Sequence, residues 1–157
     1  KIEGRNKSIF YVASVVGAYR KAIDEYYRNP ASYKFDSSWL DELNRASHRL
    51  YTTGFYFNKP GKEDQNYETS QYIRDYTFVG LVKDYNVETA FAIIEQRNKF
   101  SVGDTIEVFG PNIESFKQRV DILLDEAGNP IDSAPHPQQI VQVKMSKPVH
   151  ENCMVCK

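Results

Sequence analysis

Phe100-Ser101-Val102-Gly103-Asp104-Thr105-Ile106-Glu107-Val108-Phe109-Gly110-Pro111 decides the fold of the second half of this chain. Gly103 permits the positive φ of a tight turn, and the Asp104 carboxylate can accept a bond from the turn backbone. Pro111 ends the run because it has no N–H to donate to a neighbouring strand. Between these breaks Ile106 and Val108 alternate with Thr105 and Glu107, the period of a strand with one buried and one wet face. The same period extends outward in short β-rich runs at 76–82, 87–95, 105–109, 119–124 and 140–145. Asp84-Tyr85-Asn86, Val102-Gly103-Asp104, Gly110-Pro111-Asn112 and Ala127-Gly128-Asn129-Pro130 punctuate them as turns. This spacing predicts a small antiparallel β-barrel over 73–147, closed or nearly so, because closure removes exposed edges.

Upstream the apolar period is helical. Val12, Val15, Val16, Tyr19, Ile23 and Tyr26 predict a helix over 8–28, with Arg20, Lys21, Asp24 and Glu25 on its other face. Ser8 is placed to cap it and Asn29-Pro30 to stop it. Ser38 followed by Asp41 reads as a capping-box start for a second helix over about 38–47, whose apolar side is Trp39, Leu40, Leu43 and Ala46. The aromatic segment 48–57 is broken by Gly54, and the polar stretch 58–72 is the best domain boundary. The expected organisation is α+β: a helical segment over 1–57, a linker over 58–72, a small antiparallel β-barrel domain over 73–147 and a tail over 148–157.

Composition narrows the function. With 41% hydrophobic and 26% charged residues, the 157-residue chain can bury a core and stay in solution. No run approaches the roughly 18 apolar residues of a membrane span. Residues 1–72 carry 11 Lys/Arg against 9 Asp/Glu, net +2, and residues 73–157 carry 9 against 12, net −3. A domain that grips phosphate backbones by itself has a basic excess, which the second half lacks. The two cysteines lie at 153 and 156, leaving a cysteine-free body that suits a reducing cytoplasm.

The Val102-Gly103-Asp104 turn and its strand resemble the strand–turn–strand of small barrels such as the second domain of translation GTPases. A wider likeness runs along nearly the whole chain. Lys1-Ile2-Glu3-Gly4-Arg5, Tyr11-Val12-Ala13, Tyr19-Arg20-Lys21-Ala22-Ile23-Asp24 and Thr53-Gly54-Phe55-Tyr56-Phe57 carry it in the first half. Phe78-Val79-Gly80, Gln96-Arg97-Asn98, Val102-Gly103-Asp104 and Ala134-Pro135-His136-Pro137-Gln138-Gln139 carry it in the second. In order and spacing these resemble the collagenase-like peptidases of family U-32. The resemblance implies a barrel-like catalytic domain upstream, with this chain supplying that domain's last strand and helix plus a C-terminal accessory domain. It implies proteolysis for some members and hydroxylation of transfer or ribosomal RNA for others. The ending His150-Glu151-Asn152-Cys153-Met154-Val155-Cys156-Lys157 departs from the apolar-basic tail of the family.

Chemistry-bearing residues are sparse. No G-x-S-x-G elbow, H-E-x-x-H pair or glycine-rich phosphate cradle occurs. Cys153 and Cys156 form a lone C-x-x-C, half of a zinc site or a redox pair, against the plainer reading of a frayed tail. His48, His136 and His150 are scattered, and no metal site or cofactor is expected. If Lys1–Glu3 ends a barrel strand, Glu3, Arg5 and Lys7 project at a barrel mouth, where Glu3 can act as a base and Arg5 can clamp an anion. The bland alternative is an ion pair at a domain seam. Arg97, Lys99 and Phe100 put two charges and a ring before the Gly103 turn, a pattern that holds single-stranded nucleic acid, or simply a solvated hairpin end. The expected job is to position a protein or RNA substrate for the upstream catalytic domain. The alternatives are a part in RNA hydroxylation, a peptidase using Glu3, or a dimerisation module.

Overall fold

The computed structural model describes residues 1–46, 51–57, 59–61 and 76–157. They divide into two units, Lys1–Tyr76 and Thr77–Lys157. His48, Leu50 and nearly all of the expected linker lie outside the described residues.

The first unit is built on α1 (Ile9–Arg28), a single 3-10 turn (Pro30–Ser32) and α2 (Ser38–Asn44). Ser8 caps α1 as expected, its Oγ accepting from the Tyr11 N–H at 3.3 Å. The face that packs is not the one the apolar spacing singles out. Phe10, Ser14, Val15 and Ala18 are buried, whereas Val16, Tyr19, Ile23 and Tyr26 stay exposed. Ser14 and Ala18 are small enough for close approach, and Ser14 hides its hydroxyl by donating to the Phe10 carbonyl at 2.9 Å. A Lys21–Glu42 ion pair ties α1 to α2. Ser38 is not the cap of α2; the N-cap is Ser37, which makes no side-chain cap bond, and the Asp36 carboxylate just before it accepts from the Ser38 N–H at 2.9 Å. Those bonds hold the Asp36 carboxyl below the usual range.

The second unit contains β1 (Phe78–Asn86), β2 (Phe91–Gln96), β3 (Phe100–Ser101), β4 (Thr105–Gly110), β5 (Ile113–Arg119), β6 (Leu123–Asp125), β7 (Ser133–Ala134), β8 (Ile140–Lys144) and β9 (Met154–Cys156). Seven of them make one sheet in the order β5-β4-β9-β1-β2-β8-β6, with every pairing antiparallel, and β3 pairs with β7 in a separate ribbon. The chain is therefore α+β, but the sheet does not close into the expected barrel. The outer edge of β6 is taken by its own return segment, with the Ile131 N–H donating to the Leu123 carbonyl at 3.0 Å. The edge at β5 is met by a side chain instead of a backbone ladder. Gln118 donates to the Lys144 carbonyl at 2.9 Å and accepts from the Ser146 N–H at 2.8 Å.

One core lies against this sheet, with Val79, Ile94, Phe100, Ile106, Val141, Val143 and Val155 fully buried. The turn at 102–104 forms as its residues dictate: Gly103 has φ 92°, and Asp104 accepts from the Ser101 N–H at 2.9 Å. Two expectations need correction. β1 runs on through Asn86, whose Oδ1 accepts from the Glu88 and Thr89 N–H groups, so the turn lies at 87–90. The frayed tail is instead β9, paired with β4 on one side and β1 on the other, because Met154, Val155 and Cys156 are all buried there. No helix among the described residues is long and apolar enough to cross a membrane.

Candidate functional site

The β2–β3 turn carries the sequence-predicted binding residues. Its backbone is fixed from below: the Arg97 N–H donates to the Val79 carbonyl at 2.8 Å, and the Asn98 side chain donates to the Phe78 carbonyl at 2.7 Å. Arg97 pairs with Glu95 at 2.6 Å while keeping about a third of its side chain in solvent, 36%. Lys99 is exposed. Phe100 is not part of this surface. Its side chain is fully buried in the sheet core, so its ring has no free face on which a base can stack. The turn offers charge without stacking.

Topology brings further charges to the same end of the sheet. β9 ends there, and Lys157 Nζ reaches Asp104 Oδ2 at 2.9 Å. That bond, helped by the Ser101 N–H, holds the Asp104 carboxyl below its ordinary value against the opposing effect of burial. Arg119 closes β5 beside Gly103, within reach of Asp121 at 3.8 Å.

Glu3, Arg5 and Lys7 do not form a strand end. Residues 1–8 are turn and irregular backbone, and all three side chains are exposed. The Glu3 carboxylate accepts from the Arg5 N–H at 2.8 Å, a local turn bond, and Lys7 Nζ sits 5.2 Å from the Tyr11 ring centroid.

The two cysteines are free, buried and held by different partners. Cys153 belongs to the sheet core, whereas Cys156 Sγ donates to the Glu107 carbonyl at 3.6 Å. Burial pushes the Cys153 thiol up. Among the described residues no group of three or more His, Cys, Asp or Glu side chains could hold a metal. His150 is held structurally: its Nε2 lies 2.6 Å from the Pro111 carbonyl, anchoring the approach to β9 on the β4–β5 turn. His136 is exposed between its prolines.

The sequence reading passed over a second surface. Tyr26, Tyr33, Phe35 and Trp39 touch ring to ring in the first unit, beside a groove of about 540 Å³ lined by Arg28, Lys34 and Trp39 among others. The signal was available in the density of aromatics at 26–39, five in fourteen positions, which helical periodicity alone does not weigh.

The described residues thus form a helical unit and a separate open antiparallel sheet. Residues 74–155 match the sequence profile described as "Peptidase family U32 C-terminal domain", and residues 1–66 match "Peptidase family U32". This chain belongs to peptidase family U32. It is 43% identical over its full length to "tRNA hydroxylation protein P1" of Bacillus subtilis, covering 37% of that protein. It is 40% identical over 114 residues to "tRNA hydroxylation protein P" of Escherichia coli, covering 71% of this chain and 24% of that protein. It is 27% identical over 122 residues to "Collagenase" of Porphyromonas gingivalis, covering 77% of this chain and 34% of that protein. Among solved structures, the selenomethionine variant of the C-terminal domain of a Geobacillus thermoleovorans U32 peptidase superposes with a TM-score of 0.51 at 46% identity. That match covers 52% of this chain and 99% of that one. The chain therefore spans between 24% and 37% of the length of these curated relatives.

Proposed function

We propose that this chain is the substrate-positioning C-terminal portion of a tRNA-hydroxylating U32 protein, and that its sheet unit holds tRNA through Arg97 and Lys99 for a catalytic domain elsewhere in the protein. The supporting observation is the 43% identity to a tRNA hydroxylation protein across both units at once. The geometry is compatible in a specific way. Arg97 and Lys99 stand on a turn whose backbone is bonded down to Val79 and Phe78, so their charges are presented from a fixed platform. The net −3 of the second half keeps the grip weak and salt-sensitive, as befits a positioning contact. A peptide-positioning role is the second reading, supported by the likeness to a collagenase.

A titration of the chain against tRNA at several salt concentrations tests this. Binding should fall steeply with salt, and Arg97→Ala with Lys99→Ala should reduce the slope by about two phosphate contacts. Binding untouched by the double substitution, or none at low salt, would transfer the weight to the peptide reading. In the full-length protein, loss of residues 74–157 should abolish hydroxylation of tRNA measured by nucleoside mass spectrometry.

A further inference from the structure

Residues 26–39 gather Tyr26, Tyr27, Tyr33, Phe35 and Trp39. Their rings form an unbroken chain. Tyr27 meets Tyr26 edge-on at 5.6 Å between centroids, and Tyr26 meets Tyr33 at 5.6 Å. Tyr33 stacks on Trp39 at 6.2 Å and 25°, and Phe35 meets Trp39 edge-on at 5.6 Å. Trp39 is the buried anchor at 9% exposure, while Tyr27 and Phe35 at the two ends are 76% and 60% exposed. Scattered exposed apolar residues are ordinary on protein surfaces; a contiguous run of mutually braced rings is not.

Sequence and capping explain why the rings converge. The break at Asn29-Pro30 turns the chain out of α1 through the 3-10 turn, and Asp36 then starts α2 at Ser38. The loop is thereby folded back, with Tyr33 and Phe35 set around Trp39. Arg28 and Lys34 border the adjoining groove. The groove sets Lys21, Arg28 and Lys34 against Asp24, Glu25 and Asp36; Arg28 pairs with Glu25, and Asp36 is committed to the α2 backbone, which leaves Lys34 as the cation nearest the rings in sequence. Flat rings with exposed faces beside cations are what a single-stranded nucleic acid uses: bases stack on the rings while the phosphates pass the charges. A double helix, whose bases are already stacked on one another, gains nothing from such a surface.

We infer that the Tyr27–Tyr26–Tyr33–Trp39–Phe35 surface is a stacking platform for an unpaired loop of the RNA substrate. This rests on the tRNA reading above and supplies the stacking that the buried Phe100 cannot.

The single tryptophan makes the platform its own reporter. Emission from Trp39 in the whole chain would be followed during titration with tRNA, with a short oligouridylate and with a blunt RNA duplex. The single strand and the tRNA should quench it saturably, and the duplex should not. Tyr27→Ala with Phe35→Ala should weaken oligouridylate binding by about tenfold or more, as expected for lost base–ring stacks. Tyr27→Phe with Phe35→Tyr should restore it. Both side chains are exposed, so the urea transition should not move, which separates lost stacking from lost fold. Undiminished binding of oligouridylate and tRNA by the alanine double variant overturns this inference and leaves the tRNA reading standing. Absence of any RNA binding by the unaltered chain overturns both.

Discussion

Gly110 marks a close approach to backbone in the second unit. A β-carbon there would lie 2.8 Å from Cys153 Sγ and 3.0 Å from the Cys153 Cα, which is backbone and cannot swing aside. Gly110→Ala should therefore destabilise the sheet unit by about 1–3 kcal/mol, the usual cost of overpacking, read from the urea midpoint. The turn proposed to bind RNA would separate function from stability within two residues. Phe100→Ala removes a fully buried ring and should cost about 3–5 kcal/mol, whereas Lys99→Ala should leave the midpoint within about 0.5 kcal/mol and change only RNA affinity. Asp104 gives an acid dependence. Its folded-state value lies below the ordinary 3.8 because Lys157 and the Ser101 N–H bond the ionised form. Its stabilisation is complete above that ordinary value and is lost as pH falls through the lowered one. Lys157→Met should shrink this loss in urea titrations at acid pH.

At the scale of elements, β9 carries the most consequence for its length. It pairs with both β4 and β1, so it joins the β5-β4 pair to the β1-β2-β8-β6 set. A chain stopped after residue 152 should lose its cooperative transition and its β-type circular dichroism. Retention of both would mean the remaining strands hold the fold alone. The thiols provide a check in the intact chain, since Cys153 and Cys156 are both buried and should react with Ellman's reagent only after unfolding. The sequence made some elements legible and hid others for physical reasons. β8 alternates cleanly because it has one buried face, and β4 alternates in residue type at 105–108 although Ile106, Glu107, Val108 and Phe109 are all buried. β5 did not, since Phe116 is its one buried residue amid Glu114, Lys117, Gln118 and Arg119, the mark of an edge strand kept charged against stray pairing. β9 has no alternation to read because all three residues are buried, and its cysteines drew attention to chemistry instead of packing. The packed face of α1 was missed because Ser14 and Ala18 make contact through smallness, which an apolar count undervalues.

At the scale of the molecule, the two units divide labour in the proposed function, with anchored charge in the sheet and stacked rings beside the helices. Residues 77–157 expressed alone should fold cooperatively, as the crystallised relative of the C-terminal domain indicates, and should retain the Arg97–Lys99 contribution to tRNA binding without the quenching of tryptophan. The family was legible from motif order, but the site only in part, because burial of Phe100 is decided by contacts with β7, distant in sequence. The same long reach sets a schedule for biosynthesis. Phe78 pairs with Cys156, so a strand made early must wait for one made 78 residues later. A nascent chain can build α1 while still on the ribosome, but it cannot complete the sheet until residue 156 has cleared the exit tunnel. Until then the inner edges of β1 and β4 stand open, and it is over this interval that a chaperone would have the most to protect.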